Sequence, residues 1–145
     1  MVQALSAAGH QVFHLCRSQD QPGGFSGPKE LRERAEALGP DRIICVQLED
    51  APALASLGIP MAVDLFAQRL LEAPFSGNLR DTAVHCLQAI GAGDVFLVSN
   101  ERQRWSWLGV LSLAGVDVRT DPTLLVPLVA EPGPERSPPR EPVFA

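Results

Sequence analysis

The chain has a single lysine, Lys29, and no stripe of basic residues. With a formal net charge of −5 it offers no positively charged face to a nucleic-acid backbone, so no nucleic-acid partner is expected. No apolar run approaches the roughly 20 residues that a bilayer-spanning helix needs. The opening, MVQALSAAGHQ, has neither the basic start nor the apolar stretch of a secretory leader. The expected compartment is cytoplasmic, with peripheral contact to a membrane left open. Cysteines are few: Cys16, Cys45 and Cys86 are isolated and odd in number. Their spacing suits neither a disulfide framework nor a zinc site, so free thiols are expected and no metal or cofactor is assigned. Nucleophilic catalysis has no support, because Ser99 lies in no G-x-S-x-G elbow. Gly23-Gly24 does not lie directly between a strand and a helix, as a phosphate cradle requires, and reads as a flexible loop.

What is present is enough to build one domain. The chain has 145 residues, 46% of them hydrophobic, which suffices for a real core. The stretch Asp94 to Ala114 carries the clearest signals. Asp94 to Val98 reads as a short buried strand, and Ser99-Asn100 stops it. Asn100 is a helix cap with Gln103 three residues later, and Gly115 ends the helix. Its apolar side is expected to include Trp105, Trp107, Leu108 and Leu111.

The other elements follow in order. A short helix over Met1 to Ala8 closes at Gly9, and Gln11 to Cys16 (QVFHLC) is the first expected strand. Pro28 to Leu38 is a charged helix with Pro at its start and Gly39 behind it. Arg42 to Gln47 is a strand, Ala51 to Leu57 a helical turn, and Met61 to Phe66 a strand interrupted by Asp64. A helix beginning in Leu65 to Glu72 should break at Pro74 and Gly77. Leu79 to Ile90 is a helix and Thr123 to Val129 a last strand, with Pro127 placing it at an edge. Strands separated by helices predict an α/β fold, a Rossmann-like, mostly parallel sheet with helices on both faces. No strand precedes the first helix, as though the fold lacked its first strand. Residues 130–145 are proline-rich without periodicity and read as a linker or tail.

Several residues carry candidate chemistry. A helix that starts after a parallel strand points at the carboxyl edge of the sheet, where open α/β folds bind ligands. Asp64, Ser99, Glu101, Arg102 and Gln103 fall at that edge. Glu101 suits the positive end of the helix dipole, whereas Arg102 and Arg104 do not. Those arginines face an anionic ligand, an acidic partner, or Glu101 and solvent. Asp64 either orients an acceptor hydroxyl or caps the next helix; Ser99 and Gln103 are also explained by capping. His10 and His14 would share one face of a strand, with no third metal ligand. A phosphoreceiver domain is excluded, since no lysine follows the last strand.

These residues resemble a family. Gly9-His10-Gln11-Val12 is similar to the "GH-x-V" entry to the second strand of two-Rossmann-domain, GT-B-type nucleotide-sugar glycosyltransferases. Val63 to Phe66 resembles the "D-L-[FY]" of a bacterial, family 4-like branch of these enzymes. Ser99, Glu101, Arg102, Gln103, Arg104, Trp107, Gly109 and Leu111 match that branch's "S-x-E-R-Q-R-x-x-W-x-G-x-L". The resemblance implies that residues 1–129 are a partial N-terminal, acceptor-side domain and 130–145 the interdomain linker. It implies a missing C-terminal Rossmann domain that would hold the nucleotide-sugar. The expected function is therefore that of a glycosyltransferase fragment, inactive by itself, with Asp64, Ser99, Glu101, Arg102 and Gln103 facing the cleft and the catalytic residue unassigned. Donor sugar and acceptor stay open. The alternative is a non-catalytic α/β protein-interaction module.

Overall fold

The computed structural model describes residues 2–18, 20–66 and 69–127. The linker expected over residues 130–145, and the end of the last expected strand, lie outside these. The elements are α1 (Val2–Ala7), α2 (Pro28–Leu38), β1 (Ile43–Cys45), α3 (Ala51–Ala55), β2 (Met61–Asp64), α4 (Arg69–Ser76), α5 (Leu79–Ile90), β3 (Val95–Val98), α6 (Glu101–Leu113) and β4 (Thr123–Leu125). The four strands form one all-parallel sheet in the order β1-β2-β3-β4. The α/β class and the parallel sheet are as the sequence predicts.

Local chemistry sets the helix bounds. Pro28 opens α2, and Gly39 closes it in the left-handed region at φ 56°. Ahead of α2, the Ser26 amide and hydroxyl both donate to Glu30 Oε2, at 2.8 and 2.6 Å. These bonds, with Arg34 beside them, pull the Glu30 carboxyl down to about 2 and tie the residue before the Gly27 cap to the first turn of the helix. α6 ends in a Schellman turn: the Val116 amide reaches Leu111 O and the Gly115 amide Ser112 O, both at 3.0 Å. Gly115 takes φ 86° there, a conformation that favours glycine. α4 departs from expectation by running through Pro74 to Ser76 before Gly77 ends it. A proline inside a helix removes a backbone hydrogen bond. Packing decides here, because α4 lies along α5 with Ala73 buried.

The core lies on one side of the sheet. Register places Cys45, Met61, Val63, Phe96 and Val98 on a common face. All five are buried in one cluster with Leu31 and Ala35 of α2, Ala51 and Leu54 of α3, Cys86 and Ile90 of α5, and Trp107 and Leu111 of α6. Right-handed crossovers between strands in sequential order bring their helices to the same face, which accounts for this one-sided layer. On the other face Ile44, Val46, Leu124 and Val126 are exposed. The two-sided helical cover is thus met on one face among the described residues. Behind the core, a Cβ on Gly93 would lie 2.7 Å from Val63 Cγ2, so glycine is needed where the chain enters β3.

The first expected strand does not form. Between Gln11 and Cys16 the only β-contact among the described residues is an isolated bridge from Cys16 to Gly24. Strand-forming side chains are not sufficient without a neighbouring backbone to complete the ladder, and among the described residues none bonds to residues 11–15. The Gly23-Gly24 loop is compact rather than loose. The Cys16 amide donates to Gly23 O at 3.2 Å and the Phe25 amide to Cys16 O at 2.9 Å. A Cβ on Gly24 would sit 1.8 Å from Ser18 O, and one on Gly23 2.3 Å from His14 O. Both glycines therefore permit close backbone approach, and neither forms a cradle. Arg17 pins this loop to the turn between β1 and α3 through a bidentate pair with the buried carboxylate of Asp50.

Candidate functional site

Parallel strands place all their carboxyl ends on one edge, and the candidate residues collect there. Asp64 ends β2; Ser99 and Asn100 follow β3; Glu101, Arg102 and Gln103 form the first turn of α6. Asn100 is the cap, its Oδ1 accepting from the Gln103 amide at 2.9 Å. The Gln103 side chain does not return to the cap amide as in a standard capping box. Its Oε1 accepts from the Ser99 amide at 2.7 Å and the Ser99 hydroxyl at 2.9 Å. Its Nε2 donates to Leu65 O at 3.2 Å and Phe66 O at 2.7 Å. An amide has two donors and two acceptor lone pairs, and all four are occupied. Gln103 therefore fastens the end of β3 to the end of β2. Trp107 Nε1, one turn later, donates to the same Leu65 carbonyl at 3.0 Å.

Asp64 stands beside this clasp. Its Oδ1 accepts from the Phe66 amide at 2.9 Å, as a local turn does. Register puts Asp64 opposite Leu97, away from the helical layer. Desolvation there pushes its carboxyl above the usual range, with the Phe66 hydrogen bond opposing. Among the described residues no cation pairs with Asp64, and half-buried carboxylates of this kind are costly and concentrate at functional sites.

The first turn of α6 divides its charges. Arg104 pairs with Glu101 at 3.3 Å and with Asp121, and stacks over Trp105 with its guanidinium carbon 5.9 Å from the ring centroid. These partners hold Asp121 below its usual range, the Thr123 hydroxyl contributing first and the Arg104 charge after it. Arg102 is exposed, and no ion pair holds it among the described residues. Trp105 is 68% exposed, whereas Trp107 is fully inside the core. The sequence placed both tryptophans on the apolar side, and packing separates them. Buried positions on α6 run 103, 107, 111, so the inward stripe begins with a polar residue that the apolar pattern alone misses.

Asp64 at the end of β2 and Ser99, Glu101, Arg102 and Gln103 at the start of α6 thus share the carboxyl edge of the sheet. Gln103 and Ser99 are spent on internal bonds. Asp64 offers a carboxylate on the sheet face turned away from the helical layer, whereas Arg102 and Trp105 expose a guanidinium and an aromatic ring on α6. A separate cleft of about 260 Å³ lies between the end of β1 and α5, lined by Leu48, Glu49, Thr82, His85 and Cys86 among others. None of the candidate residues lines it. Its volume falls below the roughly 300 to 1,000 Å³ usual for small-molecule sites. His10 and His14 are both exposed, and among the described residues no three His, Cys, Asp or Glu side chains gather as a metal site. No helix of the described residues is long and apolar enough to cross a membrane.

No family model matches the chain, and neither a curated protein nor a solved structure matches it.

Proposed function

We propose that the chain is the acceptor-side portion of a GT-B-type nucleotide-sugar glycosyltransferase, incomplete without a second, donor-binding Rossmann domain. The observation that carries this reading is the position of the Ser99 to Arg104 segment. It opens a helix at the carboxyl edge of a parallel sheet, directly beside Asp64 at the end of the adjacent strand. In this reading Arg102 meets an anionic group of donor or acceptor, and Trp105 stacks on a sugar ring. Asp64 accepts from an acceptor hydroxyl, while Gln103 and Ser99 hold the edge in shape. The nucleotide-sugar is a substrate of the complete enzyme; no cofactor or metal is assigned.

The test is thermal unfolding with nucleoside diphosphates and nucleotide-sugars, on the chain alone and after fusion to a family 4-like second domain. Ligand at a hundred times its dissociation constant stabilises by about 2.7 kcal/mol. The reading requires a response from the fusion, weakened by Arg102→Ala, and none from the chain alone. A response from neither sinks it. The second reading, a non-catalytic α/β interaction module, is favoured by one observation, the apolar side chains exposed on the sheet.

A further inference from the structure

α6 has two apolar sides. Gln103, Trp107 and Leu111 face the core, and on the opposite side Trp105 and Leu113 are 68% and 80% exposed. Between these two stands Gly109, four residues from each. Glycine weakens the interior of a helix, so a conformation or a close neighbour is needed to explain it there. The chain itself supplies neither. Gly109 is not among the glycines of positive φ, and a Cβ on it would meet nothing within 4 Å. Three residues before and after it are Ser106 and Ser112, both small and both exposed. This side of the helix therefore has the same order outward from Gly109 in either direction. A small side chain comes at three residues and a large apolar one at four.

We propose that this side of α6 binds a second copy of the chain, the two α6 helices packing antiparallel about a twofold axis at Gly109. A twofold contact pairs residue i with j and j with i. With Gly109 on the axis, Trp105 of each copy comes level with Leu113 of the other, and Ser106 with Ser112. The paired glycines let the helices approach to the short end of the roughly 8–10 Å usual between packed axes. A partner meets every position only if it carries the same order reversed, and a second copy does so by symmetry. Charge agrees with this pairing. Arg102, which no ion pair holds among the described residues, comes level with residues 116–117 of the other copy, where Asp117 is exposed. A tryptophan contributes at most about 150–250 Å², so two Trp–Leu pairs make a small interface, below about 1,200 Å² in total, and a weak, reversible dimer. The inference does not rest on the transferase reading. A ring packed on Leu113 is closed to a sugar, so the two uses of Trp105 exclude one another.

Sedimentation equilibrium of the full chain from about 10 μM to about 1 mM spans the range that a weak dimer calls for. The weight-average mass is expected to rise from 15.6 kDa toward twice that value and to stop there. Gly109→Gln puts bulk on the axis and against nothing within the chain, so it should weaken association at least tenfold. Its unfolding midpoint should stay at or above the parent's, since glutamine is the better helix former. Trp105→Ala should weaken association to a similar degree. Gly109→Gln leaves the Trp105 ring in place, so a nucleotide-sugar response of the fused enzyme should survive it, and the two readings fail separately. Three outcomes overturn the proposal. One is the mass of a single chain at every concentration, and another is association that Gly109→Gln leaves unchanged. The third is growth past two copies, which marks a head-to-tail contact in place of a twofold one.

Discussion

Replacing Gln103 with methionine keeps the length of the side chain and removes its four hydrogen bonds, so it isolates the clasp between β2 and β3. Some partners retain other bonds: Leu65 O keeps Trp107 Nε1, and the Ser99 hydroxyl keeps Asn100 Nδ2 at 3.1 Å. The Ser99 amide and the Phe66 carbonyl lose the bonds that Gln103 made to them. A typical intramolecular hydrogen bond contributes about 1 kcal/mol net, and a buried group left unpaired costs about 1–3 kcal/mol. With two groups stranded at a partly buried edge, Gln103→Met should lose about 2–4 kcal/mol. For a domain of this size that corresponds to a fall in Tm of about 10 °C. Urea unfolding followed by tryptophan fluorescence reads the change as a lower midpoint at constant slope. Arg102→Ala, exposed in the same turn, should stay within about 0.5 kcal/mol of the parent. If Gln103→Met unfolded within about 1 kcal/mol of the parent, the clasp would not be a structural device. Gln103 would then be better explained as a ligand contact.

Asp64→Asn should raise stability at neutral pH, since burial lifts the Asp64 carboxyl above its ordinary value and folding therefore favours its protonated form. The sign follows: the ionised group costs stability above its folded pKa, and the advantage of asparagine should shrink as pH falls toward the unfolded value, as paired urea titrations would show. Thiol labelling of the folded chain should modify Cys16 first, because Cys45 and Cys86 are buried and burial pushes the Cys45 thiol up to about 12. Rapid labelling of Cys45 without unfolding would contradict the packing of β1. Gly24→Ala drives a methyl into Ser18 O and should open the loop that follows Cys16, lowering Tm and quickening proteolysis there, whereas Gly27→Ala meets nothing within 4 Å and should not.

The sequence alone determined the features whose causes are local. α2 and α5 begin and end where proline, glycine and apolar spacing put them, and Asn100 caps α6 as its neighbours predict. Strands separated by helices, five expected and four formed, likewise pointed to a parallel sheet, with Asp64 and the Ser99 to Gln103 turn at its carboxyl edge. Tertiary structure decided the rest. Trp105 and Trp107 are equal as sequence signals, but only position 107 falls in line with 103 and 111 against the sheet. Gln103 is a clasp because β2 ends beside β3, a fact that no spacing within α6 contains. Pro74 stays helical because α5 supports that segment from outside. Residues 11–16 have the composition of a strand and do not become one, because a strand is a property of two neighbouring backbones. Local signals choose conformations for single segments, and only packing chooses their partners.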